Sequence, residues 1–392
     1  MKTYSRRWPG KWEGRSGPDV GATRDILLVS KPIVPPWNDS GKNIVRDLAA
    51  SGIRYTYRVM GDRGALPPGP SAMVERVYST SGAFAPGLRQ NLSVLRRLLT
   101  PDRVPLYHFF FAPNPRTSAV ARMVLKLKRR KVVHTICSTP ATPETVSELM
   151  FADQIVALSK HTAKLLKMHG VDNVVHIPPC VPLTPAVSAE RKERVRNELG
   201  LPQARYVVFP GDYEFSNAAR VCVEALPIIC TVPDVHFVFA CRIKRPPSLE
   251  AERIIKDRVK ELGLEQRVTF VNQVADMEAL VAAATLTVLP ADSLYAKMDI
   301  PLVLLESLRE GVPIVVSDHG PLPELVESAV GVSVPSNKVE PFGQAVLKLM
   351  NSLQTLADMG AAGQDLVRTT YSPDTMARRY EALYDELIGA KS

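Results

Sequence analysis

The chain has 392 residues, of which 45% are hydrophobic and 23% are charged. Such a length predicts two or three domains, and such a composition is ordinary for a globular protein, which argues against a disordered or fibrous chain. The sequence has no apolar window of about 18 residues, so it predicts no transmembrane helix, and its first residues lack the apolar stretch of a secretory signal. The five cysteines form no CxxC pair, which favours a reducing compartment and argues against a zinc site. We therefore expect a cytoplasmic protein.

The formal net charge of +9 is unevenly distributed along the chain. Residues 1–184 contain 27 Lys and Arg against 12 Asp and Glu, whereas residues 185–392 contain 22 against 28. A basic first half predicts an anionic surface as its partner. Because no nucleic-acid-binding module is recognisable and aromatic residues make up only 6% of the chain, we expect no nucleic acid and favour anionic lipid headgroups.

Residues 1–24 are rich in Gly, Pro and Arg and have no periodicity, which predicts a basic, mobile tail. Order begins with Ile26–Ser30, an apolar run typical of a buried parallel strand, and a Pro-rich loop then leads into a helix at Gly41. Strands and helices alternate from there, as in a parallel sheet with helices on both faces. The further elements predicted in this half are strands Leu106–Phe111, Lys131–Ile136, Gln154–Ala157 and Val174–Ile177 and helices Ala119–Arg130 and His161–Met168.

The Pro-rich segment Ile177–Pro185 interrupts this pattern and is the predicted linker. Alternation then restarts, which predicts a second doubly wound domain and a cleft between the two. We expect an N-terminal domain of residues 25–184 plus 373–392 and a C-terminal domain of residues 185–372. The elements predicted after the linker are strands Tyr206–Phe209, His236–Ala240, Val268–Phe270, Thr285–Leu289 and Ile314–Val316 and helices Ala218–Thr231, Ser248–Leu262, Met277–Ala284, Pro301–Glu310, Glu340–Met350 and Pro373–Leu387.

The segment 297–318 carries the strongest local indication of a ligand. Pro301 suits the first turn of a helix, with Asp299 just before it and Gly311 as a left-handed stop. The unpaired N–H groups of that turn favour a diphosphate, and Glu306 follows about 7.5 Å along the axis, within reach of ribose hydroxyls. This spacing predicts a sugar-nucleotide site. The alternative is an ordinary helix in which Asp299 is only a cap and Glu306 is solvated.

These residues resemble the glycosyltransferase group 1 family of retaining GT-B enzymes, which includes bacterial mannosyltransferases and glycogen synthase. The matching stretches are FVNQVADMEALVAAATLTVLPAD and MDIPLVLLESLREGVPIVVSDHGPLPELV, together with ADQIVALSKHTAKLLKMHGVDNVVHIPPCVPL and the closing YSPDTMARRYEALYDEL. The resemblance covers residues 150–390 well and residues 25–150 weakly. It implies an α/β fold of the GT-B type, with two Rossmann-like doubly wound domains facing a cleft and a last helix that crosses back to the first domain.

The same resemblance implies a metal-independent hexosyltransferase of polysaccharide biosynthesis that needs no cofactor. Its donor would be a nucleotide-diphosphate sugar, with UDP or GDP as the nucleotide. Its acceptor would be a hydroxyl group of a glycan, a lipid-linked sugar or a natural product, and the anomeric configuration would be retained. Two other functions stay open, namely a GT-B-fold epimerase and a non-catalytic nucleotide-sugar-binding partner of another transferase.

For the donor, the resemblance implies that Glu306 binds the ribose and that the backbone N–H groups of Leu302 and Val303 bind the diphosphate. The family's first glutamate maps to Met298 here. Asp299, one position later, is therefore the acid expected to meet the hydroxyls of the donor sugar.

The cations that the family uses against the leaving diphosphate are missing from their usual place. Gly211 is followed by Asp212 where the family has Arg, and the family's Lys is absent. A departing diphosphate needs positive charge, so Arg242 and Lys244 are the expected substitutes. The alternative is that both are exposed loop charges, in which case the protein would bind a nucleotide sugar without transferring it.

In the first domain, His108 resembles the family's histidine near the acceptor, although a lone histidine is more often structural. Ser159 and His161 match a segment that lines the cleft, and Ser159 is equally suited to cap a helix. The basic run Arg122–Lys131 resembles the surface with which peripheral members approach the inner face of a membrane, although such a run is often only a solvated helix face. The glycine-containing loop near the donor phosphate is matched by Asp39, Ser40, Gly41 and Lys42.

Overall fold

The computed structural model describes residues 24–79, 87–112, 114–140, 142–243, 245–295 and 297–389. The predicted tail, apart from Arg24, and the predicted cation Lys244 lie outside these residues. The described residues form two β-sheets in which every pair of neighbouring strands is parallel. Helices connect most of the strands, as the alternation in the sequence predicts, whereas a loop alone joins β2 (Thr56–Gly61) to β3 (Ala72–Arg76).

The first sheet has seven strands in the described residues, in the order β3-β2-β1-β4-β5-β6-β7. Its central strands are buried on both faces, because a parallel sheet needs crossover helices that cover each side. The strands are β1 (Asp25–Val29), β2 (Thr56–Gly61), β3 (Ala72–Arg76), β4 (Leu106–Phe110), β5 (Lys131–Ile136), β6 (Gln154–Ala157) and β7 (Val174–His176). The helices of this half are α1 (Ser40–Ser51), α2 (Leu88–Leu99), α3 (Pro115–Lys128), α4 (Val146–Leu149) and α5 (Lys160–Met168).

The second sheet has six strands in the described residues, in the order β10-β9-β8-β11-β12-β13. Its core is rich in aromatic side chains, and Phe209, Phe237 and Phe239 are fully buried there. The strands are β8 (Arg205–Phe209), β9 (Val235–Ala240), β10 (Val268–Val271), β11 (Leu286–Leu289), β12 (Ile314–Ser317) and β13 (Gly331–Val334). The helices are α6 (Ala189–Glu198), α7 (Ala218–Ile229), α8 (Pro246–Glu261), α9 (Met277–Ala283), α10 (Leu302–Arg309), α11 (Val339–Met350), α12 (Leu353–Thr370) and α13 (Pro373–Ile388).

The last helix, α13, packs on α1 of the first half, which confirms the predicted crossing. The Glu381 carboxylate accepts hydrogen bonds from the backbone N–H groups of Ile53 and Arg54, at 2.8 and 3.0 Å. The Pro-rich segment between the sheets is also built into the core, because Cys180 is fully buried and the Val181 N–H donates to the Tyr371 carbonyl at 3.0 Å. The predicted GT-B architecture is therefore present, whereas the exact limits of its domains stay a prediction.

Candidate functional site

Each sheet has one place where the strand order reverses, between β1 and β4 in the first and between β8 and β11 in the second. In doubly wound sheets ligands bind beyond the carboxyl ends of the strands at such a point. The segments that follow these strands therefore define where a ligand is expected. They contain most of the site residues that the sequence predicts.

The end of β8 brings Gly211 and Asp212 to the edge of the second sheet. A methyl group at Gly211 would lie 2.0 Å from the Phe209 ring, so a side chain does not fit there. Asp212 is buried, accepts a hydrogen bond from the Phe215 N–H at 2.7 Å, and forms an ion pair with Lys297. Burial lowers the pKa of Lys297 to about 8, while the adjacent carboxylate favours its charged form.

Lys297 was missed as a site residue by the sequence reasoning, which sought the absent cations after β9. The available signal was its position two residues before Asp299, in the segment already assigned to the donor. The structure thus places a cation and an acid together where the resemblance implies an arginine. Their contact leaves this part of the edge close to neutral.

The segment after β11 forms the predicted helix, with Pro301 as the residue before its first turn and Gly311 in the left-handed conformation at φ 75° after its end. Leu302 is buried in the first turn, and Val303 and Glu306 are half-buried. The helix is confirmed, and Glu306 is not the fully solvated residue of the alternative interpretation. The binding roles of these three residues stay predictions.

Asp299 does not have the role that the sequence predicts. It is fully buried, and its carboxylate accepts hydrogen bonds from the hydroxyls of Ser159 at 2.5 Å and Thr162 at 2.9 Å, and from Thr139. Its backbone N–H donates to the Cys137 carbonyl at 2.9 Å. The expectation that Asp299 meets the donor sugar is therefore wrong, because first-half groups enclose the carboxylate. Asp299 instead joins the two halves of the molecule.

A second carboxylate reinforces this junction at the start of α5. The Glu324 side chain accepts hydrogen bonds from the backbone N–H groups of Lys160 at 2.9 Å and His161 at 2.5 Å. Ser159 is the N-cap of α5 and accepts from the Thr162 N–H at 3.0 Å, so the capping interpretation of Ser159 is confirmed. Two acids from the second half thus hold the N-terminus of a first-half helix, where N–H groups and the helix dipole favour negative charge.

His108 is also structural, in contrast to its predicted catalytic role. It is fully buried, with Nδ1 at 2.6 Å from the Tyr384 hydroxyl and Nε2 at 2.7 Å from the Thr135 hydroxyl. Burial holds the pKa of His108 well below its ordinary value. With both ring nitrogens engaged in the core, His108 cannot contact an acceptor.

The glycine-containing loop of the first half forms the start of α1. Asp39 caps this helix by accepting from the Lys42 N–H at 3.1 Å, and it pairs with the Lys31 ammonium at 2.6 Å. The Lys42 side chain is buried, and burial lowers its pKa. Ser40 and Gly41 lie half-buried in the first turn. The structure therefore places this loop at a helix N-terminus, and its contact with a phosphate stays a prediction.

Arg242 connects this loop to the second sheet. Its guanidinium follows β9 and donates to the Asn38 carbonyl at 3.3 Å, just before the start of α1. The predicted cation Arg242 is thus in contact with the residue directly before the predicted glycine-containing loop.

A cleft of about 1240 Å³ lies between the two halves. The start of α3, with Ser118, and the segment after β5, with Thr139, line one side. The second half contributes the neighbourhoods of Tyr295 and His319, and the predicted cleft residue His161 also lines it. The structure therefore places His161 in the cleft lining, as the resemblance implies, and Tyr295 and His319 are lining residues that the sequence analysis did not assign to a site.

The basic run of the first half is only partly available to a partner. Arg122 donates to the Glu148 carbonyl at 2.6 Å, and Lys128 lies 3.6 Å from the Asp102 carboxylate, whereas Lys126 and Arg129 are exposed. None of the helices in the described part of the chain combines the length and apolar character that crossing a membrane requires. Within the same residues, no group of three or more His, Cys, Asp or Glu side chains is arranged to hold a metal ion. Metal independence stays a prediction.

Residues 204–352 match the family described as Glycosyl transferases group 1. The lipopolysaccharide core biosynthesis mannosyltransferase LpsB of Rhizobium meliloti is 24% identical over 278 residues, which are 68% of this chain and 75% of that protein. An exopolysaccharide phosphotransferase of Streptomyces coelicolor is 24% identical over 274 residues, which are 65% of this chain. The chain spans only 29% of the length of that second relative.

Among solved structures, Anabaena HepE in complex with UDP and glucose superposes with a TM-score of 0.72 at 16% identity. The match covers 93% of this chain and 100% of that one, and it extends the likeness in fold to both halves. The family match falls on the second sheet, which carries Asp212, Arg242, Lys297 and Glu306. On this evidence residues 204–352 form a Glycosyl transferases group 1 domain, and the chain as a whole has the GT-B fold.

Proposed function

We propose that the protein is a retaining glycosyltransferase that moves a hexose from a UDP- or GDP-activated donor to a hydroxyl acceptor of a glycan, a lipid-linked sugar or a natural product. The observation that carries this proposal is the contact between Arg242 and Asn38. It brings a cation of the second sheet to the helix start of the first half, as a diphosphate held between the two would require. The UDP-bound neighbour supports the class of donor, and the mannosyltransferase relative supports a hexose as the group transferred.

In this mechanism the second half binds the nucleotide. Glu306 accepts hydrogen bonds from the ribose hydroxyls, and the N–H groups of Leu302 and Val303, at the start of α10, face the diphosphate. Arg242 and Lys297 supply positive charge where the leaving diphosphate develops negative charge. No catalytic base from the chain is assigned, because the departing diphosphate takes the acceptor proton; Asp299 and His108, the two residues predicted as catalytic, are fully buried.

The bond between the anomeric carbon and the diphosphate oxygen breaks, and a bond from the same carbon to the acceptor oxygen forms on the same face of the sugar. The acceptor proton passes to an oxygen of the departing diphosphate. Closure of the cleft brings the acceptor to that face and excludes water, which would otherwise hydrolyse the donor.

The test is donor binding by the full chain and by Glu306→Ala. Because a ligand that binds the native state raises its stability, a thermal-shift series with UDP, GDP, ADP and TDP identifies the nucleotide. We expect UDP or GDP to raise the melting temperature of the unmodified protein. In Glu306→Ala the apparent affinity for that nucleotide should be at least tenfold lower. Glu327→Ala, a replacement of an exposed acid that pairs with Lys160, is the matched control. Equal affinity of the Glu306→Ala variant and the unmodified protein would remove Glu306 from the site.

A second function is favoured by one observation, the acid at position 212. Asp212 neutralises Lys297, so under this second function the site has too little positive charge to stabilise the leaving diphosphate. The chain would bind a nucleotide sugar without transferring it, as the partner of another transferase. Transfer or hydrolysis of a radiolabelled UDP- or GDP-hexose by the purified chain alone would exclude this second function. Binding without turnover would favour it.

We propose that the outer face of α3 is the surface with which the protein binds an anionic membrane. Met123, 60% exposed, and Val120 lie there beside the exposed cations Lys126 and Arg129. Each cation near an anionic leaflet contributes about 1 kcal/mol. We expect the protein to co-sediment with phosphatidylserine vesicles at low salt. The double variant Lys126→Glu/Arg129→Glu should no longer do so. Equal sedimentation of the double variant would exclude this face.

A further inference from the structure

We propose that the cleft between the two halves holds a neutral saccharide, with the Tyr295 ring as its platform and first-half hydroxyl and amide groups as its hydrogen-bond partners. This inference rests on the proposed transfer reaction, and it names the class of acceptor. It excludes phosphorylated or otherwise anionic groups from the part of the acceptor that enters the cleft.

The first argument is the chemistry of the lining. The first-half side of the cleft carries six uncharged polar side chains, and a sugar with several hydroxyls needs both donors and acceptors. Hydroxyl and amide side chains supply both, whereas carboxylates only accept and ammonium or guanidinium groups only donate. The side chains of this type on the first-half side are Asn114, Ser118, Ser138, Thr139, Thr142 and Thr145.

Ser118 gives the second argument. It is 1% exposed, it lines the cleft, and its Oγ makes no hydrogen bond to the described groups of the protein. A buried hydroxyl without a partner costs free energy, about 1–3 kcal/mol. A ligand hydroxyl that enters the cleft would satisfy this atom.

Tyr295 gives the third argument. Its side chain is 63% exposed although it belongs to the second half of the cleft lining. The ring lies 5.9 Å from that of Phe215 at an interplanar angle of 49°, and the Arg245 guanidinium lies 5.0 Å from the Phe215 ring. An exposed aromatic ring held in this way offers an apolar surface to the C–H face of a sugar, while its hydroxyl remains available for a hydrogen bond.

The charges of the cleft argue against an anionic occupant. Among the described lining residues Arg122 is the permanent cation, and its guanidinium already donates to the carbonyls of Glu148 and Met150 at 2.6 and 3.2 Å. The Glu148 side chain also lines the cleft and repels anions. The two cleft histidines, His161 and His319, are the remaining groups that could attract an anion. A bidentate arginine clamp of the kind that recognises phosphate is therefore not built here.

The position of the cleft agrees with an acceptor site. Thr139 lines it and also donates to Asp299, three residues before the first turn of α10. An occupant would thus lie close to the helix start that is proposed to hold the donor diphosphate. Both halves form its walls, so the site is complete only when they are joined.

The test is saturation-transfer-difference NMR of the full chain with maltotriose and mannotriose as neutral probes and glucose 6-phosphate as the anionic probe. All measurements are made with and without saturating UDP. The expected result is binding of at least one neutral trisaccharide that UDP does not displace. Tyr295→Ala should weaken it about tenfold and Ser118→Ala severalfold. Leu353→Ala, which removes a side chain that is 68% exposed on α12, should leave it unchanged.

Binding of glucose 6-phosphate alone, or of neither class while UDP still binds, would overturn the neutral-saccharide site. Equal weakening by Leu353→Ala would do the same. Failure of the proposed reaction looks different, because there UDP and GDP would not bind while the trisaccharide still would. Folding of each variant is checked by its far-UV circular dichroism and its melting temperature, and Tyr295→Phe provides a milder second variant that retains the ring.

Discussion

The two halves of the molecule have the same parallel architecture, but the buried polar groups around His108 in the first half and around Asp212 and Arg309 in the second half are satisfied in different ways. In the first half, neutral hydroxyls and imidazoles bond to one another, as in the chain from Tyr384 through His108 to Thr135 and on to Tyr380. In the second half the corresponding groups are ion pairs. Asp212 pairs with Lys297, and Arg309 pairs with Glu278, while all four side chains are at least mostly buried.

The partners also differ in where they come from. The buried network of the first half is completed by α13, which lies 245 or more residues away along the chain. The two ion pairs named for the second half join residues 31 and 85 positions apart. The first half therefore depends on the end of the chain for its core, whereas the second half contains its own partners. The following predictions test this difference.

The largest effect is expected where the two halves meet. Asp299→Ala leaves the hydroxyls of Thr139, Ser159 and Thr162 without their acceptor in a buried place. We expect the free energy of unfolding to fall by about 4 kcal/mol. Urea unfolding at pH 7 measures it, with the exposed Asp318→Ala as control. A loss of less than about 1 kcal/mol would show that Asp299 does not join the halves.

The next effect tests the dependence of the first half on α13. The Glu381 carboxylate is 2% exposed, and it accepts hydrogen bonds from two backbone N–H groups at the end of α1 and from the Tyr57 hydroxyl. Glu381→Ala leaves these donors unpaired, so the free energy of unfolding should fall by about 3 kcal/mol. Glu386→Ala, an exposed acid on the same helix, serves as the control. Similar values for the two variants would contradict the proposed dependence.

The sequence predicted those elements whose burial is visible in the local pattern. Strands β1, β4 and β5 are nearly continuous apolar runs, because both faces of a parallel sheet are covered. Strands β2 and β3 were missed because β3 is the edge strand, β2 lies next to it, and both carry polar residues, with Arg58 and Glu75 paired across them at 3.3 Å. Strand β13 was missed for a similar reason, because it is a half-buried edge strand of only four residues.

The site was less predictable than the fold, for a physical reason. Asp299 and His108 have the residue types and positions of functional groups, but their partners lie at least 27 and as many as 276 residues away, and no spacing reveals them. Lys297 was overlooked because its pairing with Asp212 depends on how two strand ends approach each other. Glu306 was located correctly on a helix, since capping residues and periodicity are local.

A pH series tests the imidazoles of the first half. His134 is fully buried, and burial lowers its pKa to about 4. This pKa lies below that of histidine in the unfolded chain, about 6.5. The contribution of His134 to the free energy of unfolding is therefore fully present above pH 6.5 and is lost as the pH falls from there through 4. Between pH 7 and pH 5 the loss from His134 should be about 2 kcal/mol.

His134→Asn should reduce that pH-dependent loss, whatever it does to stability at pH 7. Urea unfolding at both pH values measures the difference, so the direct cost of the substitution cancels. His319→Asn, at an exposed position of the second half, should leave the difference unchanged. An unaltered pH dependence in His134→Asn would show that His134 is not responsible.

The smallest effect concerns the charge pair of the second half. Asp212→Asn removes the carboxylate that neutralises Lys297 and repels a diphosphate, so UDP should bind five- to tenfold more tightly, about 1 kcal/mol. Lys297→Met should have the opposite effect on affinity, and it also leaves Asp212 buried without its partner.

Isothermal titration at low and high salt measures the affinity of both variants for UDP. The gain in affinity of Asp212→Asn should shrink with salt because it is electrostatic. Glu250→Gln, at an exposed acid of α8, is the matched control. Weaker UDP binding by Asp212→Asn would contradict this prediction, because it would mean that the carboxylate mainly orders the turn after β8. Lys297 would then lose its proposed role beside the diphosphate.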